Sequence, residues 1–332
     1  MTRPCIQILE NFSRPGKHLL KNAGRKDKPY RSIALVSRRA LQKYIWPERQ
    51  AAAPRMENPM ISYAQNFEDV MIARLFDAGY RGFYVDIGAA HPDFFSVTRH
   101  FYNQGWSGIN VEPTFRFYPL LRKARPNDIN LQCAVGNSPG RATFYEIPKL
   151  AENSTLERAV ADHLAATELR STPHEVEVVR LSDLCALHVK DRTVDFMKID
   201  VEGSELGVLQ SGDWGRFRPR LLVVEATVVN SGEENWQIWE PILIEANYHK
   251  VWFDGLNNFY LREEDLELCH AFRLPPNIHD GFETAELARL KWEGEQIGEH
   301  IKALYSRQGF RWLARFANWP ELTNLAELLR KP

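Results

Sequence analysis

The chain has 332 residues, of which 44% are hydrophobic and 26% charged, with a net charge of −1. That composition fits a soluble globular protein and excludes collagen, coiled coil and wholesale disorder. Four cysteines, Cys5, Cys133, Cys185 and Cys269, stand far apart with no CxxC pair, which argues against a structural zinc site or disulfide framework and suits a reducing cytoplasm.

Charge is unevenly distributed. Residues 1–55 carry thirteen Lys or Arg against Glu10, Asp27 and Glu48, a net +10, leaving −11 for the remainder. No apolar run in this stretch is long enough for a signal peptide or a membrane span. Tyr30 to Trp46 has the pattern of a short amphipathic helix. A solvated leader is the stronger expectation, and peripheral contact with the anionic inner membrane face the weaker one. Pro47, Ala51 to Ala53, Pro54 and Pro59 read as a linker, so residues 1–59 form a basic arm and the folded domain occupies 60–282.

Within that domain helix and strand alternate, which predicts a mostly parallel sheet covered on both faces. Helices are expected at 66–76, 96–104, 115–124, 204–210 and 236–246. Core strands are expected at 82–87, 108–112, 129–135, 194–199 and 221–225. Residues 141–147 and 176–181 are further short strands, with a polar, helix-prone insertion between them. A hairpin at 248–262 around Gly255 predicts an antiparallel edge. Residues 283–332 look helical, and Trp292, Ile297, Ile301, Leu304 and Tyr305 share one face, which points to packing or a homo-oligomer contact.

Ligands of open α/β sheets sit outside the carboxyl ends of the strands. The first such end reads Asp86, Ile87, Gly88, Ala89, Ala90, His91. It has one glycine where a dinucleotide loop needs three, and Asp86 would repel a pyrophosphate. A cationic ligand without phosphate, such as S-adenosylmethionine, fits better. Glu112, before Pro113 at the end of the second strand, suits ribose hydroxyls, and Ala134 and Val135 after the third would flank an adenine. The fourth strand delivers Asp200 and Glu202, and the fifth delivers Glu225. For a base near an acceptor hydroxyl, Asp200 and Glu202 rank ahead of His91 and Glu225. A Mg²⁺ ion on the same carboxylates is the weaker alternative. The insertion over 150–175, with Asn153, Ser154, Thr155, Asp162, His163 and His174, is the best candidate for acceptor recognition.

SYAQNFED at 62–69, FYVDIGAAHPDFFSVT at 83–98, GINVEP at 108–113, CAVG at 133–136, FMKIDVEGSE at 196–205 and VVEAT at 223–227 together resemble the FkbM family of S-adenosylmethionine-dependent methyltransferases. The resemblance implies a Rossmann-like class I methyltransferase fold: a mostly parallel seven-stranded sheet with one antiparallel strand and helices on both faces. It implies that Asp86, Gly88 and Ala89 line the methionine end, Glu112 and Pro113 the ribose, Ala134 and Val135 the adenine, and Asp200 the pocket floor, with Gln65 and Glu68 closing it. The acceptor it implies is a hydroxyl, and this subgroup is similar to members associated with bacterial surface glycans, lipid-linked sugars or nodulation-type oligosaccharides.

Three rivals remain. A nucleotide-dependent oxidoreductase or epimerase is disfavoured by the missing glycines. An RNA methyltransferase clamping its substrate with the basic arm is disfavoured by the acidic domain, so no nucleic-acid partner is favoured. A non-catalytic protein with a decayed pocket is disfavoured by the retained acids. A cytoplasmic protein acting on a sugar or glycoconjugate is the expectation.

Overall fold

A computed structural model of the chain describes residues 59–306. The basic arm and linker up to residue 58, the amphipathic pattern at Tyr30 to Trp46, the side chains of Leu304 and Tyr305, and everything beyond residue 306 lie outside the described residues.

In chain order the elements are β1 (Met60–Ser62), α1 (Glu68–Ala73), β2 (Phe83–Ile87), α2 (Arg99–Asn103), β3 (Ser107–Val111), α3 (Tyr118–Ala124), β4 (Ile129–Leu131), β5 (Ala134–Val135), β6 (Gly140–Glu146), α4 (Arg158–Ala165) and β7 (Thr172–Val179). There follow α5 (Leu181–His188), β8 (Phe196–Ile199), α6 (Glu205–Gln210), β9 (Leu221–Glu225), α7 (Glu240–Glu245), β10 (Tyr248–Phe253), β11 (Asn257–Arg262), β12 (Phe282–Thr284) and α8 (Ala285–Ser306). Seven strands form the main sheet in the order β4-β3-β2-β8-β9-β11-β10. All pairings are parallel except those of β11, which runs against both β9 and β10. The reversed strand therefore lies one position in from the edge rather than at the edge itself, because a tight hairpin forces β10 to run back alongside it.

Burial on both faces explains why the core strands are apolar at successive positions. Val85, Ile87, Met197, Ile199, Leu222 and Val224 pack on one face with Leu184 and Cys185 of α5, Val208 and Leu209 of α6 and Leu243 of α7. Tyr84, Phe196, Leu221, Val223 and Phe259 point the other way, toward Met71 and Ile72 of α1 and Phe101 of α2. The alternation follows the two-residue strand period.

Two local departures matter. The single third strand expected over 129–135 is divided: β4 joins the main sheet, while β5 joins a separate three-stranded sheet of order β5-β7-β6. The insertion over 150–175 contains a 3₁₀ turn at Ala151–Asn153 and then α4, and it ends inside β7.

β1 and β12 pair in parallel, Met60 opposite Phe282 and Ser62 opposite Thr284. Arg74 makes a bidentate bond to Asp280 at 2.7 Å for both contacts and fastens this region to α1. Leu290, Trp292 and Ile297 of α8 are exposed. Among the described residues no helix is long and apolar enough to cross a membrane.

Candidate functional site

The carboxyl ends of β2, β3, β8 and β9 surround a cavity of about 510 Å³. Gly88 has φ +80, and its amide and that of Ala89 donate to the Val111 carbonyl, which folds the loop after β2 over the sheet edge. The loop continues through His91 to Ser96 and is anchored by buried Arg125, whose guanidinium donates to the Pro92 carbonyl at 2.6 Å and to Ser96 Oγ at 3.1 Å. Phe94 and Phe95 line the cavity yet remain 62% and 58% exposed.

Glu112 follows β3 and is buried, and burial raises its pKa. One carboxylate oxygen accepts from the Ala90 amide and the other from the Thr114 amide, each at 2.8 Å. A carboxylate has about four lone-pair positions, so this one retains acceptor capacity toward the cavity it lines. Cys133, Ala134 and Val135, at the crossing between the two sheets, form an apolar wall with Phe144 and Leu156.

Past β8 the chain enters a tight turn. Glu202 takes φ +54, and the Glu205 carboxylate accepts from the Val201 and Gly203 amides at 3.1 and 3.2 Å. Thr155 Oγ1 donates to the Glu202 carbonyl at 2.8 Å, so the insertion braces this turn. Asn153 Nδ2 stands 3.4 Å from both Glu202 carboxylate oxygens. The register of β8 with β9, Ile199 opposite Val224, brings Asp200 beside Glu225. One oxygen from each of Asp200, Glu202 and Glu225 lies within 4.8 Å of the others. Burial, with Asp200 next, pushes both Glu202 and Glu225 well above the usual carboxylate range.

Lys198 lies within FMKIDVEGSE, where sequence reasoning assigns it no role, and it is central. Its Nζ lies 3.1 Å from Asp200 Oδ2, 3.1 Å from the Gly88 carbonyl and 3.8 Å from Asp86 Oδ1. Burial disfavours its charge, but Asp200 and Asp86 outweigh that and raise its pKa. Burial also raises that of Asp86, which has one close cation where the lysine has two carboxylates. The signal available in the sequence was a lysine inside an otherwise apolar strand, a position that demands paired acids.

Gln65, Gly88, Glu112, Pro113, Ala134, Val135, Asp200 and Glu202 all line the cavity. Asp86, Ala89, Glu68 and His91 do not. Asp86 lies beneath the floor, accepting from Thr98 Oγ1 at 3.0 Å, and Ala89 is buried in the loop. Glu68 accepts from Asn257 Nδ2 at 2.9 Å and from the Asn66 amide at 2.8 Å. His91 Nδ1 accepts from the Asp93 and Phe94 amides, and its ring packs on Phe94, so it organises the loop. Four of the eight non-glycine residues with positive φ among those described, Ala90, Phe95, Glu202 and Asn230, line the cavity. Backbone strain concentrated in this way marks functional sites.

The profile of the methyltransferase FkbM domain matches residues 86–311, more than half of the chain and inclusive of every strand end around the cavity. No curated protein matches the chain.

Proposed function

The chain belongs to the FkbM-domain methyltransferases, and on that premise we propose that it moves a methyl group from S-adenosylmethionine to a hydroxyl oxygen of a sugar, within a surface polysaccharide, lipid-linked glycan or related glycoconjugate. The donor set fits this cofactor. Asp200, Glu202 and Glu225 line the cavity with Lys198 as the one lysine or arginine among the lining residues, so carboxyl oxygens outnumber cations there, which suits a ligand carrying a sulfonium and an ammonium. Glu112 has acceptor capacity left for ribose hydroxyls, and the wall at Cys133 to Val135 suits an adenine.

When bound, the cofactor supplies an activated methyl carbon whose bond to sulfur breaks, with its electron pair left on sulfur, as the acceptor oxygen bonds to that carbon. The protein's share is alignment and removal of the hydroxyl proton. Glu202, oriented by Asn153 and held by the braced turn, accepts the proton on a carboxylate oxygen. Lys198 fixes the Asp200 carboxylate at the floor.

One observation carries the sugar assignment. The cavity lining combines the exposed aromatic side chains of Phe94 and Phe95 with the polar groups of Asn153, Glu202, Asn230 and Ser231. A sugar ring has apolar C–H faces that lie on aromatics and a rim of hydroxyls that need donors and acceptors, and this lining offers both. The test is incubation of the purified chain with methyl-labelled cofactor and a panel of nucleotide sugars, glycolipids, phenols and RNA. Label on a sugar hydroxyl is the expected result; label on RNA or phenols alone would reject the sugar acceptor. The variant Glu112→Gln, which exchanges an amide-accepting oxygen for a donor, should bind cofactor ten- to a hundredfold more weakly, on the order of 1.5–3 kcal/mol for a charged hydrogen-bond acceptor.

A further inference from the structure

We propose that Asp200, Glu202 and Glu225 together bind one divalent cation of the oxygen-seeking class, Mg²⁺ or Mn²⁺, and that this ion grips two neighbouring hydroxyls of the acceptor; the acceptor half rests on the methyl-transfer reading above.

The carboxylates converge from two adjacent strand ends, and one oxygen of each lies within 4.8 Å of the other two. Oxygens around Mg²⁺ at about 2.1 Å are separated by about 3.0 Å in cis and about 4.2 Å in trans, and at least two of the three pairs must be cis, so the side chains close by up to about 1.8 Å to seat an ion. A second observation points independently to a ligand. Glu225 is 94% buried, and its Oε2 has no hydrogen-bond partner although the residue lines the cavity. Buried carboxylate oxygens are ordinarily satisfied, because desolvating one without a partner costs several kcal/mol.

No side-chain cation fills that role. Lys198 is committed to Asp200, Asp86 and the Gly88 carbonyl, and among the described residues no ion pair reaches Glu202 or Glu225. The donors are all carboxylate oxygens, with no histidine or thiol among them, which favours Mg²⁺ or Mn²⁺ over Zn²⁺. Three protein ligands leave positions on the cavity side, where a vicinal diol completes the shell.

An ion so placed draws electron density from a bound hydroxyl. Its proton passes to the non-ligating oxygen of Glu202, and the oxygen's electron pair makes the new bond to the methyl carbon. The sulfur leaves with the pair of the broken C–S bond, so no further reagent is required.

The competing arrangement is a proton held between Glu225 and Asp200. Titration of the full-length protein with Mn²⁺ alone, followed by the loss of the free-ion electron paramagnetic resonance signal, separates the two. One Mn²⁺ per chain is expected, displaced by Mg²⁺, with binding at least tenfold weaker in both Glu225→Gln and Glu202→Gln. Both variants are near-isosteric, and circular dichroism checks that they fold. Mn²⁺ that stays free at millimolar concentration, or that binds equally well to both variants, overturns the site. Cofactor affinity is measured calorimetrically on the same samples. Cofactor binding without Mn²⁺ binding rejects the cation and spares the methyl-transfer reading, whereas Mn²⁺ binding without cofactor binding keeps the cation site and rejects the acceptor role.

Discussion

The backbone carbonyl of Asp200 occupies the space that a β-carbon on Gly88 would need, so the loop after β2 and the end of β8 meet backbone to backbone at this point. Gly88→Ala forces these segments apart and adds the cost of φ +80, about 1–2 kcal/mol by itself. Loss of cofactor binding by more than tenfold is expected in calorimetry. Gly255→Ala, at φ +99 in the β10–β11 hairpin with open space around it, carries only the backbone cost and should leave binding intact. Equal effects of the two substitutions would refute the close-contact argument.

Lys198 compensates a carboxylate that cannot reach water. Asp86 is 1% exposed, and its Oδ1 has the lysine as its near cation at 3.8 Å. Lys198→Met should destabilise the protein by about 3–5 kcal/mol in urea denaturation at pH 7, because an unpaired buried charge remains. Adding Asp86→Asn should restore part of that loss. Strict additivity in the double-mutant cycle would show that the pair does not interact.

Glu68 makes stability depend on pH. Burial, reinforced by Asp254, raises its pKa from 4.5 to about 7. A raised carboxyl pKa means that the folded state holds the proton more tightly than the unfolded chain. The stabilisation is complete below the unfolded value and disappears as pH rises through the folded one. Between pH 5 and pH 8 this group should therefore remove about 2.5 kcal/mol of stability. Glu68→Gln, neutral throughout, should flatten that part of the decline, leaving the contribution of Asp69, which is raised to about 6. Parallel stability curves for variant and parent would sink the assignment.

Substitutions of Phe94 and Phe95 test the proposed acceptor side of the cavity. Phe94→Ala and Phe95→Ala should raise the acceptor KM about tenfold, on the order of 1 kcal/mol for a lost aromatic contact, and leave cofactor affinity within twofold. Steady-state kinetics with calorimetry tests this, and an unchanged KM would remove the aromatic wall from the acceptor site.

Much of the scaffold was legible because strands buried on both faces are apolar at nearly every position, as FYVDI, FMKI and LLVVE are apart from Asp86, Lys198 and Glu225. The hairpin announced itself through Gly255. The break between Leu131 and Ala134 was not legible, since INLQCAV reads as one strand and only the second sheet shows where pairing changes partner. Helix α5 went unread although Leu181, Leu184 and Cys185 keep helical spacing, because it follows β7 with a single residue between. At the site, acids at strand ends were visible as ligands-in-waiting. Which acids face the cavity was not, because that depends on strand phase. Asp86 lies within β2 and turns under the floor, whereas Asp200 and Glu202 lie beyond the end of β8 and enter the cavity.

The pairing of β1 with β12 makes the polypeptide between them a closed circuit that starts and finishes at one place. A domain with meeting ends is portable: spliced into a surface loop of another protein, it asks its host for a gap of only a few ångströms. The same closure permits residue 284 to be joined back to residue 60 by a linker long enough to run back along the two parallel strands, with new ends opened at the turn around Gly255, without unpicking any strand of the main sheet.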